Sequence, residues 1–193
     1  MRVFLQTSRL LLREFTLADV GNLTELDSDP EVMRLLTKGR PTARRVIENE
    51  TLPGILRCYQ DFAGRGWWAA VERLTGEFVG WFGLMPLDGG DSGDAVLGYR
   101  LRRTAWGKGY ATEGSRALIR KAFTELGVRR VSAQTMAVNL ASRRVMEKAG
   151  LTYARTFHLS WDDPIDGTEF GEVEYELLKA DWESWNPRPG HSS

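Results

Sequence analysis

Residues 95–111 read AVLGYRLRRTAWGKGYA, an apolar run followed by two closely spaced glycines. The first half, residues 95–101, is rich in branched and aromatic side chains and predicts a β-strand. The second half contains Gly107 and Gly109 and leads into residues 112–126, whose apolar positions have helical spacing. The segment therefore predicts a strand that turns tightly into a helix.

A turn of this composition suits a pyrophosphate. Glycines lack the side chains that block access to main-chain N–H groups, and the first turn of a helix adds unpaired N–H donors. Two glycines alone also occur in ordinary tight turns. The segment has no GK[ST] ending, and Thr112 stands where a GxGxxG motif needs its third glycine. The predicted phosphate contacts are six consecutive residues: Trp106, Gly107, Lys108, Gly109, Tyr110 and Ala111.

Further elements follow on both sides of this segment. A strand at 131–135 precedes a helix at 140–149, which Asn139 caps and Gly150 ends. Upstream, β runs at 67–72 and 78–84 form a hairpin. The remaining expectations are a strand at 10–12, helices at 19–26, from 29 onward and at 42–62 with a break or kink at Pro53-Gly54, a turn or loop at 88–94, and strands at 152–160 and 172–179.

This order of elements predicts an α/β protein with a mixed sheet and helices on both faces. A chain of 193 residues fits one domain. We expect that domain at 1–185. Residues 186–193 contain two prolines, a glycine and two serines, and predict a flexible tail.

The composition excludes several classes of protein. Lys plus Arg and Asp plus Glu each total 26, so no net charge favours nucleic acid or an anionic membrane as a partner. A single cysteine, Cys58, rules out an internal disulfide and a CxxC metal pair, and we expect no metal. The sequence lacks an apolar run of about 18 residues, and residues 1–7 lack a signal-peptide core, which predicts a cytoplasmic protein.

Two blocks resemble the GCN5-related N-acetyltransferase (GNAT) superfamily. Residues 95–114 are similar to its acyl-CoA-binding motif Q/R-x-x-G-x-G/A, with Trp106, Gly109 and Ala111 at the matching positions and Trp in place of Gln or Arg. Residues 139–153, NLASRRVMEKAGLTY, resemble an element of the Rim-type branch, which acetylates ribosomal-protein N-termini and small amines. Residues 8–13, SRLLLR, resemble the first strand of the family.

The resemblance implies a GNAT fold with a splayed sheet of about seven strands and acetyl-CoA as acyl donor. The pantetheine arm would lie between strands 95–101 and 131–135, against Leu101 and Arg102. Main-chain N–H groups from Tyr99 to Leu101 would hold the thioester oxygen. Asn139 would contact the arm, and Arg144 would contact a phosphate.

The resemblance settles the catalytic groups only in part. Many family members use a tyrosine to protonate the departing thiolate, but Met146 stands there, so the Rim-type pattern implies Ser142 as the donor at the CoA sulfur. Local hydrogen bonding is the alternative role of Ser142. Relatives often carry a glutamate base where this chain has Val96. A water relay or capture of a neutral amine stays open beside six carboxylates: Asp27, Asp29, Glu72, Asp94, Asp162 and Asp163.

These observations predict an N-acetyltransferase that moves an acetyl group from acetyl-CoA directly to a primary amine in a ternary complex. The amine would belong to a peptide or protein N-terminus or to a small molecule. Two alternatives stay open: a non-catalytic acyl-CoA-binding or sensing module, and a dimerising scaffold with a vestigial cofactor site. A homodimer is left open, and neither nucleic acid nor a membrane is expected as a partner.

Overall fold

The computed structural model describes residues 2–62, 64–87, 93–160 and 162–185. Across this part of the chain, strands form one eight-stranded mixed sheet with the order β1-β2-β3-β4-β5-β6-β8-β7. The strands are β1 Val3–Gln6, β2 Leu10–Glu14, β3 Gly66–Glu72, β4 Phe78–Pro86, β5 Asp94–Leu101, β6 Arg130–Met136, β7 Thr152–Phe157 and β8 Glu172–Leu178.

Seven α-helical segments accompany the sheet in the same described residues. They are α1 Val20–Leu26, α2 Pro30–Thr37, α3 Arg44–Val46, α4 Leu52–Asp61, α5 Tyr110–Glu125, α6 Leu140–Ala149 and α7 Lys179–Trp185. None of the helices described is both long and apolar enough to cross a bilayer.

The sheet opens between β5 and β6. These strands are parallel neighbours, but their pairing covers only Asp94–Val96 against Arg130–Ser132. Beyond this point β5 continues to Leu101 and β6 to Met136 without pairing to each other. The splayed sheet that the resemblance implied is therefore present, and it leaves one edge of each strand free toward the gap.

Helices cover both faces of the sheet. On one face, α5 and α6 pack through a large apolar cluster that contains Phe123 and Met146. On the other face, α1 and α4 pack through a second cluster that contains Leu26 and Leu52, and Val32 of α2 lies against it. These two faces are called below the α5/α6 face and the α1/α2 face.

Several elements differ from the expected ones. Strand β1 and helix α7 were not predicted, and the sheet has eight strands where about seven were expected. The helix at 42–62 is not broken at Pro53. Instead α3 and α4 are joined by a π-helical segment, Ile47–Thr51, because Pro53 lacks the N–H that a regular turn needs. The tail at 186–193 and residues 88–92 of the expected loop lie outside the described residues.

Candidate active site

A cavity of about 790 Å³ lies where β5 and β6 separate. The turn that precedes α5 and the first turns of α6 line one part of it. Helix α2 and the segment between β7 and β8 line another part. The cavity therefore connects the turn with the α1/α2 face through the gap in the sheet. Ten of the residues predicted to bind the cofactor or act in catalysis line it: Tyr99, Leu101, Trp106, Gly107, Gly109, Tyr110, Ala111, Asn139, Ser142 and Arg144.

The turn before α5 has the backbone conformation for which glycine is suited. Gly107 has φ +73° and Gly109 has φ +81°, both in the left-handed region. A Cβ atom at Gly107 would meet no atom within 4 Å, so this position is open to a ligand. Helix α5 begins at Tyr110, directly after Gly109, and so its first unpaired N–H groups lie beside the cavity. The phosphate-binding geometry inferred from the sequence is therefore available.

The Arg9 side chain, between β1 and β2 of the N-terminal hairpin, holds this turn in place through hydrogen bonds. The Arg9 guanidinium donates from Nη1 to the Lys108 carbonyl at 2.8 Å and from Nε to Glu113 Oε2 at 2.6 Å. Glu113 Oε1 also accepts from Thr7 Oγ1 at 2.6 Å. Burial acts to raise the pKa of Glu113, but these hydrogen bonds outweigh it and lower the pKa. Glu113 thus ties the hairpin to the start of α5.

Trp106 occupies the position where the family motif has Gln or Arg. Its indole Nε1 donates to the Leu101 carbonyl at 2.9 Å, across the start of the turn. The ring is 47% exposed and lines the cavity. Trp106 therefore closes the turn onto the end of β5, and the Leu101 carbonyl already has a donor.

The main chain of β5 offers N–H groups to the gap. Arg102 N donates to Val79 O of β4 at 2.9 Å. In an antiparallel pair, alternate residues turn their main-chain groups toward the partner strand. The N–H groups of Tyr99 and Leu101 therefore point to the opposite side, toward the gap, which is where they would need to lie to hold a thioester oxygen.

Two of the predicted cofactor-binding residues do not line the cavity with their side chains. The Arg102 guanidinium donates from Nη2 to Glu25 Oε2 at 2.8 Å and stacks on Phe78, so it faces α1. Lys108 meets Arg9 through its carbonyl. Both residues are outside the cavity lining. The Arg102 side chain departs from the expectation because Glu25 of α1 lies within reach.

Ser142 lies in a hydrogen-bonded group at the start of α6. The Asn139 side-chain oxygen accepts from Ser142 N at 3.2 Å and so caps the helix, while Asn139 Nδ2 donates to Thr135 Oγ1 at 3.0 Å. The Tyr99 hydroxyl lies 2.9 Å from Ser142 Oγ. Burial raises the pKa of Tyr99 to about 12, against the opposite effect of the Ser142 hydrogen bond. Tyr99 is therefore a neutral hydroxyl at physiological pH.

The positions where relatives carry catalytic groups are apolar here. Met146 is 2% exposed and lines the cavity. Val96 forms with Ser132 the last pair of residues between β5 and β6 before the gap. Five of the six carboxylates considered as bases are engaged elsewhere: Asp27 with Arg100, Asp29 with the Glu31 N–H, Glu72 with Tyr110, Asp94 with Arg130, and Asp163 with Lys38 and Arg40.

The two arginines of α6 have different surroundings. Arg143 donates to the Tyr175 hydroxyl at 3.1 Å and to the Ala137 carbonyl at 3.0 Å, which holds it against the sheet. Arg144 is exposed, lines the cavity and has no ion-pair partner among the described residues. Of the two, Arg144 is the one placed to receive a phosphate.

The structure adds a cavity carboxylate that the sequence did not single out. Glu172, the first residue of β8, lines the cavity and is partly buried. Burial raises its pKa. The alternation of β8 could be read from the sequence, but the face toward which Glu172 points could not. In the described part of the chain, no group of His, Cys, Asp and Glu is arranged to hold a metal ion.

Comparisons with known proteins agree with this geometry. Residues 9–152 match the acetyltransferase (GNAT) domain family. The chain is 38% identical over 192 residues to FsC-acetyl coenzyme A-N(2)-transacetylase of Aspergillus fumigatus, covering 92% of this chain and 77% of the relative. It is 30% identical over 181 residues to an uncharacterized N-acetyltransferase, p20, of Bacillus licheniformis, covering 92% and 97%.

Solved structures share the fold. A RimL ribosomal L7/L12 alpha-N-protein acetyltransferase in complex with coenzyme A has a TM-score of 0.76 at 16% identity, covering 92% of this chain and 98% of that one. The chain belongs to the GNAT acetyltransferase family. It is an acetyl-CoA-dependent N-acetyltransferase, as the sequence predicted, and nothing in these comparisons favours a non-catalytic module.

Proposed function

We propose that this enzyme transfers an acetyl group from acetyl-CoA directly to a primary amine, with both substrates bound in the cavity between β5 and β6. The pyrophosphate would lie on the N–H groups of residues 107–111, with Arg144 as a charged contact. The pantetheine arm would follow the free edge of β5. The observation that carries this proposal is the gap after Val96, which runs from the glycine turn to the opposite face of the sheet.

The residues present fit the donor. Acetyl-CoA brings an activated thioester and a linked pair of phosphates. The turn supplies bare N–H groups at a helix N-terminus, which favour phosphate. The fungal relative is named as an acetyl coenzyme A-N(2)-transacetylase, which supports the same donor and a nitrogen acceptor here.

Ser142 is the proposed proton donor. A C–N bond forms at the acetyl carbon while the C–S bond breaks, and the electron pair of that bond goes to sulfur. The nitrogen loses one proton and the sulfur gains one. Ser142 Oγ gives the sulfur its proton and regains one from the water that takes up the proton lost by the nitrogen, while the neutral Tyr99 hydroxyl, 2.9 Å away, holds Ser142 Oγ in position.

We also propose that the enzyme is one domain at 1–185 with a flexible tail at 186–193. We expect no nucleic acid, membrane or metal as a partner, and a homodimer stays an open question. The zero formal net charge supports the absence of polyanionic partners. A cytoplasmic location is part of the same proposal.

Thiol release tests the activity. The purified chain is mixed with acetyl-CoA and a panel of amines, and free CoA thiol is titrated against a blank without acetyl-CoA, which corrects for Cys58. Release that depends on an amine is expected, with intersecting initial-velocity lines because both substrates are bound together. Tight CoA binding without release for any amine would contradict the proposal, and parallel lines would contradict the ternary complex.

A matched pair of glycine variants tests the phosphate position. Gly109→Glu places a carboxylate where the pyrophosphate would lie, and CoA affinity should fall by at least about 100-fold from charge repulsion and lost access. Gly76→Glu is the control because Gly76 also has a left-handed φ, +75°, and an added Cβ there meets no atom within 4 Å. Calorimetric titration with CoA compares the two. Equal affinities would show that the pyrophosphate binds elsewhere.

A further inference from the structure

The two faces of the gap carry different groups. The Tyr99 hydroxyl contacts Ser142 of α6, so Tyr99 points to the α5/α6 face. Strand side chains alternate, and the next residue, Arg100, points to the α1/α2 face, where its guanidinium stacks on Trp81 and pairs with Asp27. The donor groups described above lie on the first face. The second face is therefore the one left for the acceptor.

Glu172 belongs to that second face. Tyr175 of β8 bonds through its hydroxyl to Glu147 of α6 at 3.0 Å, so Tyr175 points to the α5/α6 face. Alternation along β8 turns Glu172 to the opposite face. In the sheet register Glu172 stands beside Met136, the last residue of β6 and another cavity residue.

The carboxylates near the cavity differ in their ionic partners. Glu31 lies 3.8 Å from Arg34, and Asp27 lies 2.5 Å from Arg100. Among the residues that the structure describes, Glu172 has no ion pair. Its partial burial disfavours the charged form and raises its pKa, so a cation bound there would gain a desolvated counter-charge.

The rest of the cavity lining near this face combines apolar side chains with two arginines that already have acidic partners. The apolar residues come from α2, β4, β6 and the segment between β7 and β8: Leu35, Leu36, Trp81, Met136, Leu159 and Ile165. The arginines are Arg34, which pairs with Glu31, and Arg100, which pairs with Asp27. A second ammonium group in such surroundings would lose hydration and meet arginines instead of a free carboxylate, which disfavours its binding.

We infer that the acceptor is a primary amine with one positive charge on an apolar body, and that Glu172 binds its ammonium group at the entrance to the gap. This inference rests on the proposed function, because it assigns the acceptor part of the same cavity. One unpaired carboxylate among apolar side chains and paired arginines matches one ammonium, not the several of a polyamine. Glu172 then sets which amines bind, while the groups on the other face hold the donor.

Steady-state kinetics with defined amines test the inference. The probes are phenylethylamine and hexylamine, each with one ammonium, and spermidine, which has three. The wild-type chain should have a kcat/KM for the monoamines at least about tenfold above that for spermidine, because a tenfold weaker binding of spermidine lowers this ratio by the same factor. Glu172→Gln should raise the KM for the monoamines at least about tenfold, with kcat changed less, and leave the CoA dissociation constant unchanged.

The controls separate the possible failures. Glu183→Gln makes the same chemical change on exposed α7 and should leave all constants unchanged. Unchanged CoA binding by Glu172→Gln also shows that this variant folds. If no amine is acetylated by the wild-type chain, the proposed function fails. If the wild-type chain is active but prefers spermidine, or if Glu172→Gln keeps the wild-type KM, the inference fails alone.

Discussion

At the residue scale, we propose that Ser142, with the Tyr99 hydroxyl 2.9 Å away, takes the role of the tyrosine that many relatives carry at the position of Met146. Met146 is buried and has no proton to donate. Ser142→Ala should lower kcat by about 100-fold, within the range typical of a lost general acid, while CoA affinity changes little. Rapid kinetics and CoA titration measure the two quantities. Equal kcat values for Ser142→Ala and the wild-type chain would exclude the donor role.

The pH profile tests the partner hydroxyl. Burial raises the pKa of Tyr99 to about 12, so this group keeps its proton across the whole working range. The wild-type kcat should therefore have no descending limb from tyrosine ionisation below about pH 11. A descending limb of kcat near pH 10 that disappears in Tyr99→Phe would show that burial does not raise the pKa of the Tyr99 hydroxyl.

Sequence patterns identified those cavity residues that lie close together in the chain, within one motif. Asn139, Ser142 and Arg144 lie within six consecutive positions after β6, and all three line the cavity. The direction of the Arg102 side chain depended on Glu25 and Phe78, which are far away in the chain. Glu172 was missed for the same reason, because the gap it faces is made by other strands.

At the element scale, the start of α5 packs closely on β4. A Cβ atom added to Gly114 would come within 2.3 Å of Phe82 Cζ in the core. Gly114→Ala should therefore destabilise the fold by about 1–3 kcal/mol, the usual cost of overpacking. Gly21→Ala in α1 is the matched control, since an added Cβ there meets nothing within 4 Å. It should stabilise the fold by about 0.4–1 kcal/mol.

Urea unfolding at neutral pH measures both free energies. The contrast between the two variants matters because each makes the same substitution inside a helix. If Gly114→Ala proves as stable as Gly21→Ala, Phe82 has moved aside without cost, and the close packing of α5 on β4 is not what positions the glycine turn. A parallel CoA titration of Gly114→Ala shows whether the turn has shifted.

Most elements were predictable because they have local signals. The glycines at 107, 109, 127 and 150 mark turns or helix ends as expected, and the hairpin between β3 and β4 is present. The edge strand β1 was not predicted. Its VFLQ sequence is short, and its side chains are exposed or partly buried. Helix α7 was missed because its Trp and charged residues fit no single period clearly.

At the scale of the whole molecule, a buried ion pair joins strand β2 of the sheet to the helices of the α1/α2 face. Arg13 of β2 donates to both oxygens of Asp19, from Nη1 to Oδ2 at 2.8 Å and from Nη2 to Oδ1 at 2.6 Å. The Thr16 N–H and the Asn22 side chain also donate to this carboxylate. Asp19 is 2% exposed. It therefore links β2, the turn after it and α1.

This link makes the stability of the molecule depend on acid. Burial acts to raise the pKa of Asp19, but the hydrogen bonds from Arg13, Thr16 and Asn22 outweigh it and lower the pKa to about 2. The ordinary value is 3.8. The folded carboxylate thus binds its proton less readily than the unfolded one. It contributes about 2 kcal/mol of stability above the unfolded value, which is lost as the pH falls through the folded value.

The free energy of unfolding of the wild-type chain and of Asp19→Asn should therefore converge in acid. The variant keeps the shape of the side chain but has no titrating group, and at neutral pH it should be less stable by about 2–4 kcal/mol because Arg13 loses its counter-charge. Between about pH 5 and about pH 2 the difference should shrink by about 2 kcal/mol, since only the wild-type chain takes up this proton. Urea unfolding at several pH values measures both curves. A difference that stays constant across this interval would mean that Asp19 titrates alike in the folded and unfolded chain, and that the packing around the pair, not its charge, holds the α1/α2 face to the sheet.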